Sequence, residues 1–226
     1  MKKIYFISGV DTGIGKTIAT GLMAGALMKR GTDAITVKMV QTGNEGFSED
    51  IETHRSLMNG VRFPEDDKGL TAPQIFKFPS SPFLAASLEG RKVDLDKISC
   101  AVESCAKNHS VTLVESAGGL DVPLTEDILT ADFVAARNWP LILVTCGRLG
   151  AINHALLSLD AAKMRGIPLA GIVHNSHFSP DRHLDDDAIA AIRRHLAKLG
   201  YPPAIVRIPS IQLDALPDID FSEIFS

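Results

Sequence analysis

Residues 9–17 read GVDTGIGKT, and the apolar run Ile4-Tyr5-Phe6-Ile7 stands just before them. An apolar strand, a Gly-rich turn, a Lys-Thr pair and a helical stretch follow one another in the order of a phosphate-binding loop. The usual loop places four residues between its first Gly and the Gly-Lys-[Ser/Thr] triplet. Here five intervene, Val10 to Ile14. In such a loop successive backbone N–H groups turn inward, and the next helix adds its positive end, so phosphate oxygens are held without side chains. Gly13 and Gly15 permit the left-handed or close-approach backbone this needs. Lys16 would reach terminal phosphates as a point charge, and Thr17 would offer its hydroxyl to a magnesium ion. The plainer alternative is a Gly-rich turn with a solvated Lys. Against it stand the position after the first strand, the Lys-Thr pair, and a helix from about Gly15 to Arg30 with Ala19, Leu22, Met23, Ala26 and Leu27 at helical spacing.

Outward from the loop, short apolar runs alternate with longer helical patterns. Strands are expected at 34–37, 111–114, 141–144 and 169–173, and helices near 94–108, 127–138, 152–165 and 184–198. Asp94 is a suitable N-cap, and Gly31 a suitable helix stop. Runs apolar throughout suit strands buried on both faces of a parallel sheet. The alternation therefore predicts an α/β fold: a doubly wound, mostly parallel sheet with helices on both faces, P-loop NTPase-like, as a single domain over 1–226. The stretch 43–82 is the least regular and is where a substrate lid is expected. Ligands of such sheets bind beyond the carboxyl ends of the strands, so functional residues should follow the strands directly.

Composition narrows the class. With 226 residues, 45% of them hydrophobic, and a net charge of -4, the chain lacks the basic footprint of a nucleic-acid binder. No apolar run reaches the ~18 residues of a membrane span, and the N-terminus has no signal-peptide pattern, so neither nucleic acid nor membrane is expected as a partner. Cys100, Cys105 and Cys146 do not form a disulfide framework and suit a reducing, cytoplasmic setting. Cys100 and Cys105 read as helix-packing thiols rather than half a metal site.

The other strand ends carry chemistry too. Lys38 closes the second strand; it is either a snorkelling edge residue or a second cation facing Lys16. Glu115 closes the third, where an unpaired carboxylate would be costly to bury, and magnesium is a fitting partner. Gly118 and Gly119 let the chain pass close to a ligand. The fourth strand leads into Gly-rich TCGRLGAINH (145–154), a second potential anion site, and the fifth into VHNSH (173–177), where Asn175 offers an amide suited to a base edge.

Taken together, these segments make the chain resemble the dethiobiotin synthetase family from Lys3 to about Pro209. GVDTGIGKT is similar to that family's lengthened loop, Gly-x-Asp-Thr-x-x-Gly-Lys-Thr. KMVQTG (38–43) is similar to its Lys-Pro-Val-x-[Ser/Thr]-Gly, and VESAGG (114–119) to Val-Glu-Gly-Ala-Gly-Gly. LGAINH (149–154) matches Leu-Gly-x-[Ile/Leu]-Asn-His, and VHNSHFSP (173–180) resembles an adenine-contacting Val-x-Asn segment.

The resemblance implies that 7,8-diaminopelargonate, carbon dioxide and MgATP give dethiobiotin, ADP and phosphate. It implies a catalytic set of Lys16, Lys38 and Thr12. ATP would be held by Gly13, Ile14, Gly15, Lys16, Thr17 and Gly118, with Asn175, Ser176, Pro209, Ser210 and Ile211 around the adenine. Magnesium would be held by Thr17, Asp50 and Glu115. Substrate would meet Thr42, together with Gly150, Ala151 and Asn153 from the partner subunit of a homodimer. Asp50 lies in an acidic helix start, SEDIETHR (48–55), which the helix dipole favours anyway; only the resemblance selects it over Glu49 or Glu52.

Met39 stands where the family has Pro, Ser116 where it has Gly, and Phe83 where it often has His. The tail beyond Ile211 does not align. His154 and His174 are expected to pack or to support the site from behind, and Asp185-Asp186-Asp187 to be a solvated helix start. Two rival readings fit less well. Related amidotransferase ligases carry an additional glutaminase domain. Partitioning ATPases carry Lys where this chain has Asp11, and often a basic tail where this one is acidic and apolar.

Overall fold

The computed structural model describes residues 2–179, 181–211 and 216–225. In chain order its elements are β1 (Lys3–Gly9), α1 (Lys16–Lys29), β2 (Ala34–Lys38), β3 (Gln41–Thr42), α2 (Glu49–Leu57), α3 (Pro64–Asp67), β4 (Ile75–Phe76), α4 (Pro82–Leu88), α5 (Leu95–Asn108), β5 (Val111–Gly119), α6 (Thr130–Ala135), β6 (Leu141–Cys146), α7 (Ala151–Met164), β7 (Leu169–Asn175), α8 (Arg182–Leu199) and β8 (Ile205–Ile208). A 3-10 turn, Ser176–Phe178, follows β7.

Six strands form one sheet in the order β2-β5-β1-β6-β7-β8, and every neighbouring pair is parallel. Side chains alternate across it, and both faces are covered. Phe6, Ile35, Val37, Val114, Leu141 and Leu143 pack under α5 to α8, whereas Tyr5, Ile7, Leu113, Ile142 and Val144 pack under α1, α2 and the C-terminal Phe221 and Ile224. Burial on both faces is why these strands read as unbroken apolar runs. The chain winds outward to β2, returns to β5 beside β1, then continues past β1's other edge to β6. β1 thus ends at the switch point where an open parallel sheet leaves its binding crevice.

The expected doubly wound fold is the one observed, and local signals explain most boundaries. Asp94 caps α5, its Oδ1 accepting from Lys97 N at 2.8 Å, and Ile98, Ala101, Val102 and Cys105 give that helix its buried stripe. Gly31, at φ 79°, ends α1.

Two expectations need correction, and two features add detail that was not expected. The helix expected at 127–138 shrinks to Thr130–Ala135, because the chain before it turns back on itself, with Leu124 N donating to Ile128 O. The stretch 43–82, expected as the least regular, holds the short elements α2, α3 and β4, and Ile75 and Phe76 of β4 pair in parallel with Gln41 and Thr42 just before it. β8, unannounced by its four residues with exposed Arg207 among them, completes the sheet edge. Cys105 is buried as a packing thiol, but Cys100 is exposed. Among the described residues no helix is long and apolar enough to cross a membrane.

Candidate active site

At the carboxyl ends of β1, β2 and β5 lies a cleft of about 790 Å³, lined by Thr12, Gly13, Gly15, Lys16, Thr17, Lys38, Thr42, Asp50, Glu115 and Gly118 among others. The loop after β1 takes the left-handed backbone its glycines suggest, with φ 70° at Gly13 and 92° at Gly15. Gly15 is doubly required. A Cβ there would sit 2.3 Å from Asn175 Nδ2, as well as adopting a conformation L side chains disfavour. Ile14 points away from the cleft into the core and anchors the loop.

Parallel register sets the next layer. Lys38 and Glu115 are direct partners across β2 and β5. The Lys38 ammonium lies 2.8 Å from Glu115 Oε1 and 2.5 Å from Asp50 Oδ2, and donates to Ser116 O at 2.9 Å, so its three protons meet three acceptors. Burial alone would lower its pKa, but Glu115 and Asp50 outweigh burial and raise it. Burial would likewise raise the Glu115 carboxyl, and Lys38 and His54 hold it well below the usual carboxylate range. Lys16 is different. Its Nζ donates to the Asp11 carbonyl at 2.9 Å, and burial, only partly offset by Glu115, lowers its pKa to about 8.

Asp50 arrives through the start of α2. Ser48 caps that helix, accepting from Ile51 N at 3.2 Å while its own hydroxyl donates to Gln41 Oε1 at 2.6 Å. The cap fixes Asp50 in the first turn, facing the cleft. Thr17 Oγ1 lies 3.0 Å from Asp50 Oδ1 and 3.1 Å from Glu115 Oε1. These three hard oxygen donors suit a small divalent cation. Among the described residues no cluster of three or more His, Cys, Asp or Glu forms a self-sufficient metal site. Magnesium takes one or two carboxylates and completes its shell with phosphate and water.

The departures at Met39 and Ser116 are accommodated. Met39 is buried, and its N–H donates to Glu115 O at 3.1 Å, a bond Pro could not make. The Ser116 hydroxyl reaches Ser8 Oγ at 3.2 Å and Gly118 O at 3.1 Å. Phe83 is half-exposed; the residues before it, Ser80, Ser81 and Pro82, form a wall of the same cleft.

Asn175 sits beside the loop, its amide nitrogen donating to Ile14 O at 2.9 Å and its oxygen accepting from His177 N at 3.1 Å. His177 Nδ1 lies 3.1 Å from Ser210 Oγ, which brings the 175–178 and 209–211 segments side by side. Pro180 lies outside the described residues.

Asp185 overturns the expectation of a solvated helix start. It is buried, and accepts from Ser176 Oγ at 2.6 Å, from the Ser179 hydroxyl, and from His174 Nε2 at 2.7 Å. Thr145 Oγ1 holds the other ring nitrogen of His174 at 2.9 Å. Asp186 and Asp187 are exposed as expected. His174 therefore supports the 175–178 segment from behind. His154 does not pack: it is exposed on α7, edging a shallow 260 Å³ hollow with Asp11 and Gly119.

Gly150, Ala151 and Asn153 start α7 away from the large cleft, beside an 83% exposed Leu149. Arg148 pairs with Asp11 and ties this turn to the phosphate loop. Sequence reading missed His54, Arg148, Phe178 and the Ser80–Pro82 wall. A signal existed for His54, which follows Asp50 by one helical turn.

A model of the AAA domain family matches residues 3–213. ATP-dependent dethiobiotin synthetase BioD of Chlorobaculum tepidum is 45% identical over 205 residues, covering 90% of this chain and 85% of that protein. The chain belongs to the dethiobiotin synthetase family. Another relative, ATP-dependent dethiobiotin synthetase BioD 2 of Pasteurella multocida, is 42% identical over 88% of this chain and 93% of its own length. Solved structures share the fold across wider distances. A ParA family ATPase from Chlorobium tepidum superposes with TM-score 0.55 at 16% identity, over 94% of this chain and 86% of its own. The pNOB8 ParA structure reaches 0.57 at 11% identity over the same shares.

Proposed function

We propose that the chain catalyses ATP-dependent carboxylation and ring closure of 7,8-diaminopelargonate, giving dethiobiotin, ADP and phosphate. The observation that carries this reading is one continuous cleft lined by the phosphate loop together with Lys38, Thr42 and Ser80–Pro82. A nucleotide on the loop would present its terminal phosphate to a second substrate lying between Lys38 and Thr42.

One amine of the substrate adds to carbon dioxide and loses a proton, giving a carbamate. A carbamate oxygen attacks the γ-phosphorus, the bond to the β-phosphate oxygen breaks, and ADP leaves. The second amine attacks the carbonyl carbon of the mixed anhydride, phosphate departs, and the ureido ring closes. Chemistry of this kind depends on positioning and on stabilising charge. Lys16 and Lys38 neutralise the transferring phosphoryl group and the carbamate from two sides. Thr12 lines the loop above them. Thr17, Asp50 and Glu115 would hold magnesium, which would supply charge neutralisation at the phosphate oxygens. Lys38 comes already paired with both acids, which hold its ammonium at the end of β2 beside the site of the transferring group.

Gly13, Ile14, Gly15 and Gly118 shape the phosphate cradle. Asn175, Ser176, Pro209, Ser210 and Ile211 border the adenine. The turn at Gly150, Ala151 and Asn153 serves the neighbouring active site of a homodimer; the exposed Leu149 and Leu157 beside it support that arrangement. Three free thiols suit the cytoplasm. The reading is tested by ADP release on mixing protein, bicarbonate and MgATP with and without the diamine: release that requires the diamine supports it, and diamine-independent release sinks it.

A further inference from the structure

The acid at the end of β5 has two oxygens with separate partners. Oε1 faces the cleft, 2.8 Å from Lys38 Nζ and 3.1 Å from Thr17 Oγ1. Oε2 faces away and lies 2.7 Å from His54 Nε2, with both side chains fully buried. A carboxylate only accepts, so Nε2 carries the proton of this bond. Behind the ring, Nδ1 lies 3.0 Å from Thr36 Oγ1, and that hydroxyl accepts from Arg55 Nη1 at 2.7 Å. The Thr36 proton is thereby directed to Nδ1, the arrangement that leaves the hydrogen on Nε2. Arg55 is itself clamped by Asp66, Nε to Oδ2 at 2.9 Å and Nη2 to Oδ1 at 2.6 Å. An unbroken line of donors and acceptors thus runs Asp66–Arg55–Thr36–His54–Glu115, from α3 through α2 and β2 to the cleft.

We infer that His54 is a positioning residue: it engages Glu115 Oε2, fixes the carboxylate plane, and reserves Oε1 for the cation of the cleft. The inference rests on reading Glu115 as a magnesium ligand. Asp50 and His54 stand one turn apart on the same face of α2, so one short helix supplies an acid to the cation and the support for the other acid. Hydrogen-bonded partners behind a metal ligand set its orientation, and losing one commonly costs about 10–100-fold in metal affinity. His54→Leu would leave a buried carboxylate oxygen without a donor, free to swing toward Lys38. His54→Gln retains an N–H for that oxygen.

The test is equilibrium binding of a fluorescent ADP to the purified full chain, titrated with magnesium and repeated in excess chelator. Circular dichroism and thermal melts establish that each variant is folded. For His54→Leu the magnesium concentration at half-effect should rise about tenfold or more. Its ADP affinity in chelator should stay near the parent value, and His54→Gln should recover much of the loss. A folded His54→Leu with the parent magnesium midpoint overturns the inference, and so does a His54→Gln no better than His54→Leu. Should His54→Leu fail to fold, Thr36→Val, which removes the hydroxyl behind Nδ1, replaces it; an unchanged magnesium midpoint there is equally contrary. Glu115→Gln separates the two layers. A shifted midpoint for Glu115→Gln beside an unshifted His54→Leu rejects only the positioning role, whereas an unshifted Glu115→Gln rejects the ligand reading beneath it.

Discussion

Lys38 and Glu115 are cross-strand partners in a parallel pair, and their charged groups meet at 2.8 Å with side chains 6% and 0% exposed. Strand register therefore creates the charge pair at the centre of the site. Two ions taken out of water cost several kcal/mol each unless paired, and removing one partner strands the other. Lys38→Met should thus do two things: destabilise the fold by roughly 3–5 kcal/mol, and lower turnover by about 10²-fold or more. Urea unfolding and ADP production measure the two effects, and near-normal turnover would remove Lys38 from the mechanism.

Lys16 should behave in the opposite way in the fold. Burial lowers its pKa from 10.5 to about 8, so the ion is less favoured in the folded chain than in the unfolded one. Between pH 8 and 10.5 the unfolded chain then binds more protons, and stability should rise with pH. Lys16→Met should lose that rise and match or exceed the parent's stability at pH 7, while turnover falls about 10²-fold. Thermal melts across pH, without nucleotide, check the first part.

Gly15→Ala should abolish nucleotide binding. Positive φ at a non-Gly residue costs of order 1–3 kcal/mol, and the added carbon would fall 2.3 Å from Asn175 Nδ2, so the loop or β7 must move. Calorimetry with ADP should show no binding, and parent-like affinity would mean that the loop tolerates rearrangement.

Asp185 gives an acid-side prediction. Burial would raise its carboxyl pKa, but Ser176, Ser179 and His174 outweigh burial and hold it below 3.8. Its stabilisation is therefore complete above the unfolded value and is lost as pH falls through the lower folded one. Asp185→Asn should cost about 1–3 kcal/mol at neutral pH, and the gap to the parent should narrow below about pH 4. A gap independent of pH would mean the charge is not what Asp185 contributes.

Much of this was legible in the chain. Strands buried on both faces announce themselves as apolar runs, and the loop, Lys38 and Glu115 stand where such a sheet places ligands. What escaped notice was made by contacts between segments distant in sequence. The partners of Asp185 converge from β7, the turn after β7 and β8, so its carboxylate looked like one of three surface acids. His54 gains its meaning only when α2 lies across β2 and β5. The tiny β3–β4 ribbon has two residues per strand, too few for any period to show.

The most direct measurement is mass spectrometry of the product formed from diaminopelargonate, MgATP and ¹³C-bicarbonate. The account predicts dethiobiotin carrying one labelled carbon in its ureido carbonyl, with ADP and phosphate released in equal amounts. ATP turnover indifferent to the diamine, with no labelled product, would contradict it.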